Sequence, residues 1–546
     1  MQNHKFTVRK TAYQMLIMPL LFVLAQLPAH AQFKSEVELG KLNGQDGLII
    51  NGAEASGFSG YSVSHAGDIN HDGISDIIIG SFGAAPESND RAGKSYVLFG
   101  SDSGFIHPFN LSSIDGLNGV QIDGINSLDQ SGYSVSAAGD INADGIDDVI
   151  IGANNASSNG NANAGSGFVV FGSDSPLPNP FKLANLNGLN GFQINGVSMS
   201  DETGISVGAA GDINADGIDD VLIGASSAGV DEQGRSYVVF GDALGFSTPF
   251  NLTSINALNG ISLNGVMAME FSGHAVSSAG DFNGDGISDL IIGAYGAEFN
   301  ENSQAGRTYM VYGRDTGLPN PYNLTTLDGT IGFSMNGRAF NDWSGFGVSE
   351  AGDVNADGFD DIIIGAYKAS PNGKTEAGIT YVVFGSISGL IHPFELRLLD
   401  GQNGFAVHGV SAGDLSGISV GSLGDVNGDQ IDDFIVGASG ASPLDKIGAG
   451  SCYVVFGTDE GFPHPFELAT LNGQNGFVLH GINAGDGACN SVSGAGDVNA
   501  DGIADILVGA GNASPNDISK SGSTYVVFGD DRIFKDSFDD GINPEE

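Results

Sequence analysis

Most of what catalysis, nucleic-acid binding or membrane insertion would require is missing from this chain. Only 19 Lys and Arg stand against 65 Asp and Glu in 546 residues, a balance that repels a phosphate backbone and excludes nucleic acid as a partner. Beyond the first 31 residues no apolar run approaches the roughly 20 residues of a membrane helix, so no membrane span is expected. There is no His-Glu-x-x-His, phosphate-loop or cysteine-zinc pattern, and no stretch with the length and 3.6-residue period of a helix. Cysteine is reduced to Cys452 and Cys489. They fall in adjacent repeat units, which leaves two readings open: a bridge between neighbours, or two small buried thiols, since Ser, Thr or Gly stands in place of Cys452 in the other units.

What is present begins with an export signal. Lys5, Arg9 and Lys10 precede the apolar run from Met15 to Leu24, and Ala29-His30-Ala31 has the small-x-small form of a cleavage site. Residues 1–31 are therefore expected to be a signal peptide cleaved near Ala31, with the product secreted or held at the cell surface. Its loss leaves 16 basic against 65 acidic side chains. Gly at 86 residues and 41% hydrophobic residues describe a turn-rich chain that still has a core.

Seven copies of a nine-residue loop, Asp-x-Asn-x-Asp-(Gly/Gln)-x-x-Asp, start 72, 72, 69, 72, 72 and 72 residues apart and hold 25 of the 65 acids. Hard oxygens on alternate positions suit calcium, which takes six to eight of them at about 2.3–2.6 Å. In the first loop Asp68, Asn70, Asp72 and Asp76 supply side-chain oxygens and Ile74 its carbonyl. The same set recurs as Asp140, Asn142, Asp144, Ile146 and Asp148, as Asp212, Asn214, Asp216, Ile218 and Asp220, and as Asp281, Asn283, Asp285, Ile287 and Asp289. It continues as Asp353, Asn355, Asp357, Phe359 and Asp361, as Asp425, Asn427, Asp429, Ile431 and Asp433, and as Asp497, Asn499, Asp501, Ile503 and Asp505. Up to seven calcium ions are expected, in a structural role. An EF-hand would place Glu at the twelfth position, where this chain has strand residues such as Ile79 and Ile151. Metal-free Asx turns are the other alternative. The sixth site should be the weakest, because Gln430 replaces the turn glycine.

Between the loops, short apolar runs bounded by glycine read as strands: Gly132-Tyr-Ser-Val-Ser-Ala-Ala-Gly139, Val149-Ile-Ile-Gly152 and Phe168-Val-Val-Phe-Gly172 in the second unit, then a fourth run beginning Gly191. Four antiparallel strands repeated seven times give an all-β, seven-bladed β-propeller over residues 32–530, followed by an acidic tail, 531–546. The fourth-strand pattern appears first at Gly47–Gly52, before any complete unit, and the third-strand pattern last at Tyr525–Gly529. The N-terminal strand must therefore complete the last blade.

The Phe-Gly endings such as Phe99-Gly100 and Phe528-Gly529, with Gly80-Ser-Phe-Gly-Ala-Ala-Pro86 and the Asp-x-Asn-x-Asp-Gly loops, resemble the FG-GAP repeats of the integrin α-subunit N-terminal β-propeller. Integrin propellers carry the acidic loops in only some blades, whereas here all seven have one. The resemblance implies a ligand surface on the face opposite the loops. Strand order puts there the connections that vary most, Phe82 to Ala92, Asn154 to Ala164, Tyr295 to Ala305 and Tyr367 to Ala377. The single tryptophan, Trp343, lies on that face with Tyr295 and Tyr367. These three are candidate ligand-binding residues, with Trp343 as a gap-filling plug the alternative.

No enzyme is expected. Gly204-Ile-Ser-Val-Gly208 and Gly417-Ile-Ser-Val-Gly421 match the Gly-x-Ser-x-Gly nucleophile pattern but lack the strand-to-helix turn it needs. His107, His392 and His464 align with Asn179, Thr248 and Asn320, which makes them loop variants rather than zinc ligands. The reading that follows is a secreted, calcium-binding adhesion or ligand-binding module with an extracellular protein or glycan partner. The alternatives are a structural spacer of a surface layer and an extracellular hydrolase with its site in the propeller channel.

Overall fold

The apolar runs bounded by glycine are strands, and they lack polar alternation because both faces of each sheet are covered. The computed structural model describes residues 34–300 and 303–529; the expected signal segment and the acidic tail lie outside them. In the second blade Asp148–Ala153 pairs antiparallel with Ser134–Gly139 and with Ser166–Val170. Ile150 and Val169 pack with Val221 and Ile223 of the third blade, while Val149, Ile151 and Phe168 pack with Ile78 and Val97 of the first. Each blade thus shares one apolar layer with each neighbour, and each fully buried side chain contributes about 1.5–3 kcal/mol. Seven such sheets form the ring, and the described helical segments are three-residue 3-10 turns.

The expectation of four strands per blade is short by one. Every sheet has five, the outermost being a short strand that runs parallel to the fourth. In the first blade it is Phe181–Lys182, borrowed from the next unit and paired with Ile122 and Asp123. Two residues carry too little pattern to be read from sequence. The residue before its cis proline explains the aligned His, Asn and Thr positions. The side chains of His107, Asn179, Thr248, Asn320, His392 and His464 accept the N–H of Ile49, Gln121, Gln193, Ser262, Ser334 and Ala406, the free edge of a fourth strand. Any acceptor of suitable reach serves, so the residue type drifts.

Closure follows the expected route. Gly47–Asn51 pairs antiparallel with Ser523–Val527, so the N-terminal segment supplies the fourth strand of the seventh blade. It does more than expected. Glu36–Glu38 first runs parallel to Gly476–His480 as the fifth strand of the sixth blade, and the Ser35 carbonyl accepts the Val478 N–H that side chains cap elsewhere.

Of the two cysteine readings, the bridge is the one found. Cys452, in the third strand of the sixth blade, is bonded to Cys489, which leads into the inner strand of the seventh. Cys489 takes the place of Gly60, Gly132, Gly204, Gly273, Gly345 and Gly417, all with positive φ. A Cβ added to Gly345 would lie 2.9 Å from the Thr308 hydroxyl, which occupies the position of Cys452. The disulfide therefore fills a slot that five other blades leave to a buried, unpartnered hydroxyl: Ser95, Ser236, Thr308, Thr380 and Thr524.

Candidate metal loops and recognition face

Each acidic loop joins the inner strand to the second, where the chain must reverse within nine residues. In the first, Asp68 takes the N–H groups of Asp72 and Gly73 on its two carboxylate oxygens at 2.9 and 2.8 Å, Asn70 Oδ1 accepts from Asp72, and Asp72 Oδ1 from Ile74. The Asp68 and Asp72 bonds recur at the equivalent residues of all seven loops, including the sixth, where Gln430 holds φ 71°. Among the described residues no three Asp, Glu, His or Cys side chains are gathered at metal-ligand spacing. The carboxylates hold backbone N–H groups instead, as like charges without a cation between them should.

The ninth position tests whether these loops suit a cation. Asp76, Asp148, Asp220, Asp289, Asp361, Asp433 and Asp505 are fully buried. Oδ1 of each accepts the N–H of the glycine after the third strand, from Gly100 to Gly529, at 2.8–2.9 Å. That bond ties the loop to the Phe-Gly ending of its own repeat. None has an ion-pair partner among the described residues, and burial, with the loop's other carboxylates adding to it, pushes Asp76, Asp148, Asp220, Asp289 and Asp505 up to about 8. A buried carboxylate with two N–H donors and no cation is incomplete as an anion. An all-oxygen set of three carboxylates, an amide and a carbonyl fits calcium.

A second carboxylate series was missed in sequence. At the eighth loop position Asp147, Asp219, Asp360 and Asp432 reach back to the preceding blade and accept the N–H of Asp68, Asp140, Asp281 and Asp353 at 2.7–3.0 Å. They lock successive loops together. The preceding residue must be glycine for this approach, since a Cβ on Gly139 would sit 2.3 Å from Asp219 Oδ2. A repeated Asp-Asp pair in four of seven loops was the available signal.

The serines of the Gly-x-Ser-x-Gly matches stitch the inner strands of the ring. Ser206 Oγ accepts the Val276 N–H at 3.1 Å and Ser419 Oγ that of Val492 at 3.0 Å, as Ser62 does for Val135 and Ser491 for Val63. The central channel, about 410 Å³, is walled by these strands and carries two titratable side chains, His65 and Glu350. His65 is exposed to the channel, where the surrounding strands still desolvate it and lower its pKa, and burial together with Asp360 and Asp432 raises that of Glu350.

On the opposite face the three candidate aromatics come together. Trp343 lies with its ring centroid 5.0 Å from Tyr295 and 5.7 Å from Tyr367, and Phe346 touches all three. Lys368 Nζ sits 3.4 Å above the Trp343 ring, and Trp343 Nε1 donates to Asn341 Oδ1. The three rings are half-buried, between a free platform and a plug. Burial pushes the Tyr367 hydroxyl up to about 12, so it remains a donor. Buried turn carboxylates hold the connections in place, Asp342 accepting from Ala339 and Asp414 from Ser411.

Six segments, residues 59–98, 131–170, 203–239, 272–309, 349–383 and 490–527, match the FG-GAP repeat family. The sixth unit, with Gln430 and Cys452, lies outside them yet forms the same blade. Integrin alpha-V of Gallus gallus is 29% identical over 276 residues, 49% of this chain and 23% of that protein. Integrin alpha-5 of Xenopus laevis is 31% identical over 246 residues, 43% and 20% of the two chains. Phosphatidylinositol-glycan-specific phospholipase D of Bos taurus is 32% identical over 170 residues, 30% and 18%. The matches thus span about a fifth of these relatives' lengths. The chain carries six FG-GAP repeats, and its seven-bladed propeller resembles the N-terminal propeller of the integrin α subunit.

Proposed function

We propose that this chain is an exported adhesion or ligand-binding module, held rigid by up to seven calcium ions in the acidic loops, that recognises an extracellular protein or glycan on the opposite face. The observation that carries the reading is the convergence of Tyr295, Trp343 and Tyr367 from three separate connections into one half-buried aromatic cluster. Large aromatic side chains on a rigid scaffold are the groups that most often anchor a partner. A catalytic role finds less support. The channel offers one carboxylate where acid–base hydrolysis would use a pair, and the Gly-x-Ser-x-Gly serines are engaged with backbone N–H groups.

The test is binding of the mature protein to arrayed matrix proteins and glycans, followed by Trp343→Leu. Leu415 occupies the equivalent position with the same positive φ, so the substitution suits the fold. Loss of about 2 kcal/mol, roughly thirtyfold in Kd, is expected for an aromatic anchor. Unchanged affinity, or no ligand on either array, sinks the reading and favours a spacer.

A further inference from the structure

We infer that the seven acidic loops, numbered in chain order, load with calcium as two coupled runs of three and a separate seventh, and that Asp147, Asp219, Asp360 and Asp432 are the positioning residues that carry the coupling. The inference rests on the calcium reading proposed above and adds to it how the sites communicate.

Neighbouring loops meet at seven equivalent interfaces of the ring, and one backbone tie crosses them without distinction. The N–H after the third-strand glycine donates to a carbonyl in the loop of the preceding blade, as Ser173 does to Ile69 and Arg314 to Ile213, both at 2.9 Å. Four interfaces add a carboxylate from the eighth loop position. Asp147 holds the Asp68 N–H of loop one, Asp219 that of Asp140 in loop two, Asp360 that of Asp281 in loop four and Asp432 that of Asp353 in loop five.

At the other three interfaces the same place is taken by shorter side chains. Ser288, Ala504 and Ser75 stand there against Gly211, Gly424 and Gly496, and among the described residues none of them bonds the N–H of Asp212, Asp425 or Asp497 through its side chain. Two of these interfaces keep a direct backbone bond, from Ser75 to the Asp497 carbonyl at 3.3 Å and from Ala504 to that of Asp425 at 3.4 Å, both long for an N–H donor. The carboxylate locks therefore join loops one, two and three, and separately loops four, five and six. Loop seven is locked to neither neighbour.

Each lock connects the end of one candidate ligand set to the start of the next. Asp147 lies between Ile146 and Asp148, both in the set of loop two, and it grips the backbone of Asp68, the first ligand of loop one. A cation in loop two fixes the chain on both sides of Asp147 and with it the Asp68 N–H. Whichever loop fills first thus bears the conformational cost of ordering the junction, and its neighbour fills more readily. By reciprocity the gain is the same in either order. Repulsion between neighbouring cations opposes filling, but it acts at all seven interfaces and so does not produce the division.

The experiment is hydrogen exchange of the full chain, read by mass spectrometry in each loop from chelator to saturating calcium, for the native protein, Asp147→Ser and Asp147→Asn. Serine already stands at this position in loops one and four, so the fold accepts it. In the native protein, protection should rise with a Hill slope of about 2 in loops one to three and in loops four to six, and of about 1 in loop seven. Asp147→Ser should lower the slope of loop one to about 1 and raise its calcium midpoint at least fivefold, a gain at the low end of ordinary coupling. Loops four to six should not move. Asp147→Asn loses the charge but keeps an oxygen to accept the Asp68 N–H, so its loop-one slope should stay native. Seven loops that all gain protection with a slope near 1 overturn the coupling and leave the calcium reading standing, and an Asn variant that behaves like the Ser variant overturns the role of the bond. Protection that ignores calcium in every loop overturns both readings.

Discussion

Removing the loop cations should reverse the pH dependence of stability. Five of the seven buried ninth-position carboxylates have a metal-free folded pKa of about 8, against an ordinary value of 3.8. For a group whose folded pKa is raised, stability is fully present below the unfolded pKa and is lost as pH rises through the folded one. The window here is therefore pH 4 to 8. Within it each such group costs about 1.4 kcal/mol per pH unit, so five together cost about 7 kcal/mol per unit. That is an upper bound, because a loop that relaxes lets water reach its carboxylate. Over the two units from pH 5 to pH 7 the bound is about 14 kcal/mol, comparable to the 5–15 kcal/mol that holds a typical domain folded.

The metal-free ring should consequently be more stable at pH 5 than at pH 7. With calcium the sign inverts: the ion competes with protons for the same oxygens, so stability rises towards neutrality. The assay is the unfolding midpoint by circular dichroism across pH 5 to 8, in calcium and in chelator, with metal content per chain. Opposite slopes and a stoichiometry near seven are expected. Parallel curves with little bound metal would refute the reasoning and leave the loops as Asx turns.

Deleting residues 34–52 should unravel the seventh blade, since Leu48 and Ile50 are fully buried against its third strand and together are worth about 3–6 kcal/mol. Limited proteolysis read by mass spectrometry should then cut first within 490–529, and equal resistance throughout would count against the closure argument. Replacing the disulfide by the pair other blades use, Cys452→Thr with Cys489→Gly, should cost about 2–3 kcal/mol in urea unfolding. Cross-linking residues 37 apart is worth about 4 kcal/mol, and glycine returns about 1 by relieving a positive φ of 70°. No loss would show that the bridge only fills space.

The parts of the structure legible in the sequence are those repeated seven times with strong side-chain periodicity: the loops, the four long strands, and the ring closure inferred from an unmatched fourth strand at Gly47. The parts that were not legible share a physical reason. Phe181–Lys182 and its equivalents pair through two residues of backbone, and a backbone ladder that short leaves no side-chain signature. Whether Trp343 is free or packed depends on where Phe346 and Lys368 fall in space, which no spacing encodes.

The disulfide shows a signal that was present and unread. Cys452 alone is an unremarkable exchange for Ser or Thr. Cys489, however, breaks a glycine position that the other six units keep, and only something that needs a Cβ there would tolerate the positive φ. Two departures from one repeat, at positions that face each other in every other blade, are a contact statement even without a known geometry. A departure that breaks a conformational requirement its six siblings keep, and that meets a second departure across the blade interface, points to a contact local to that unit.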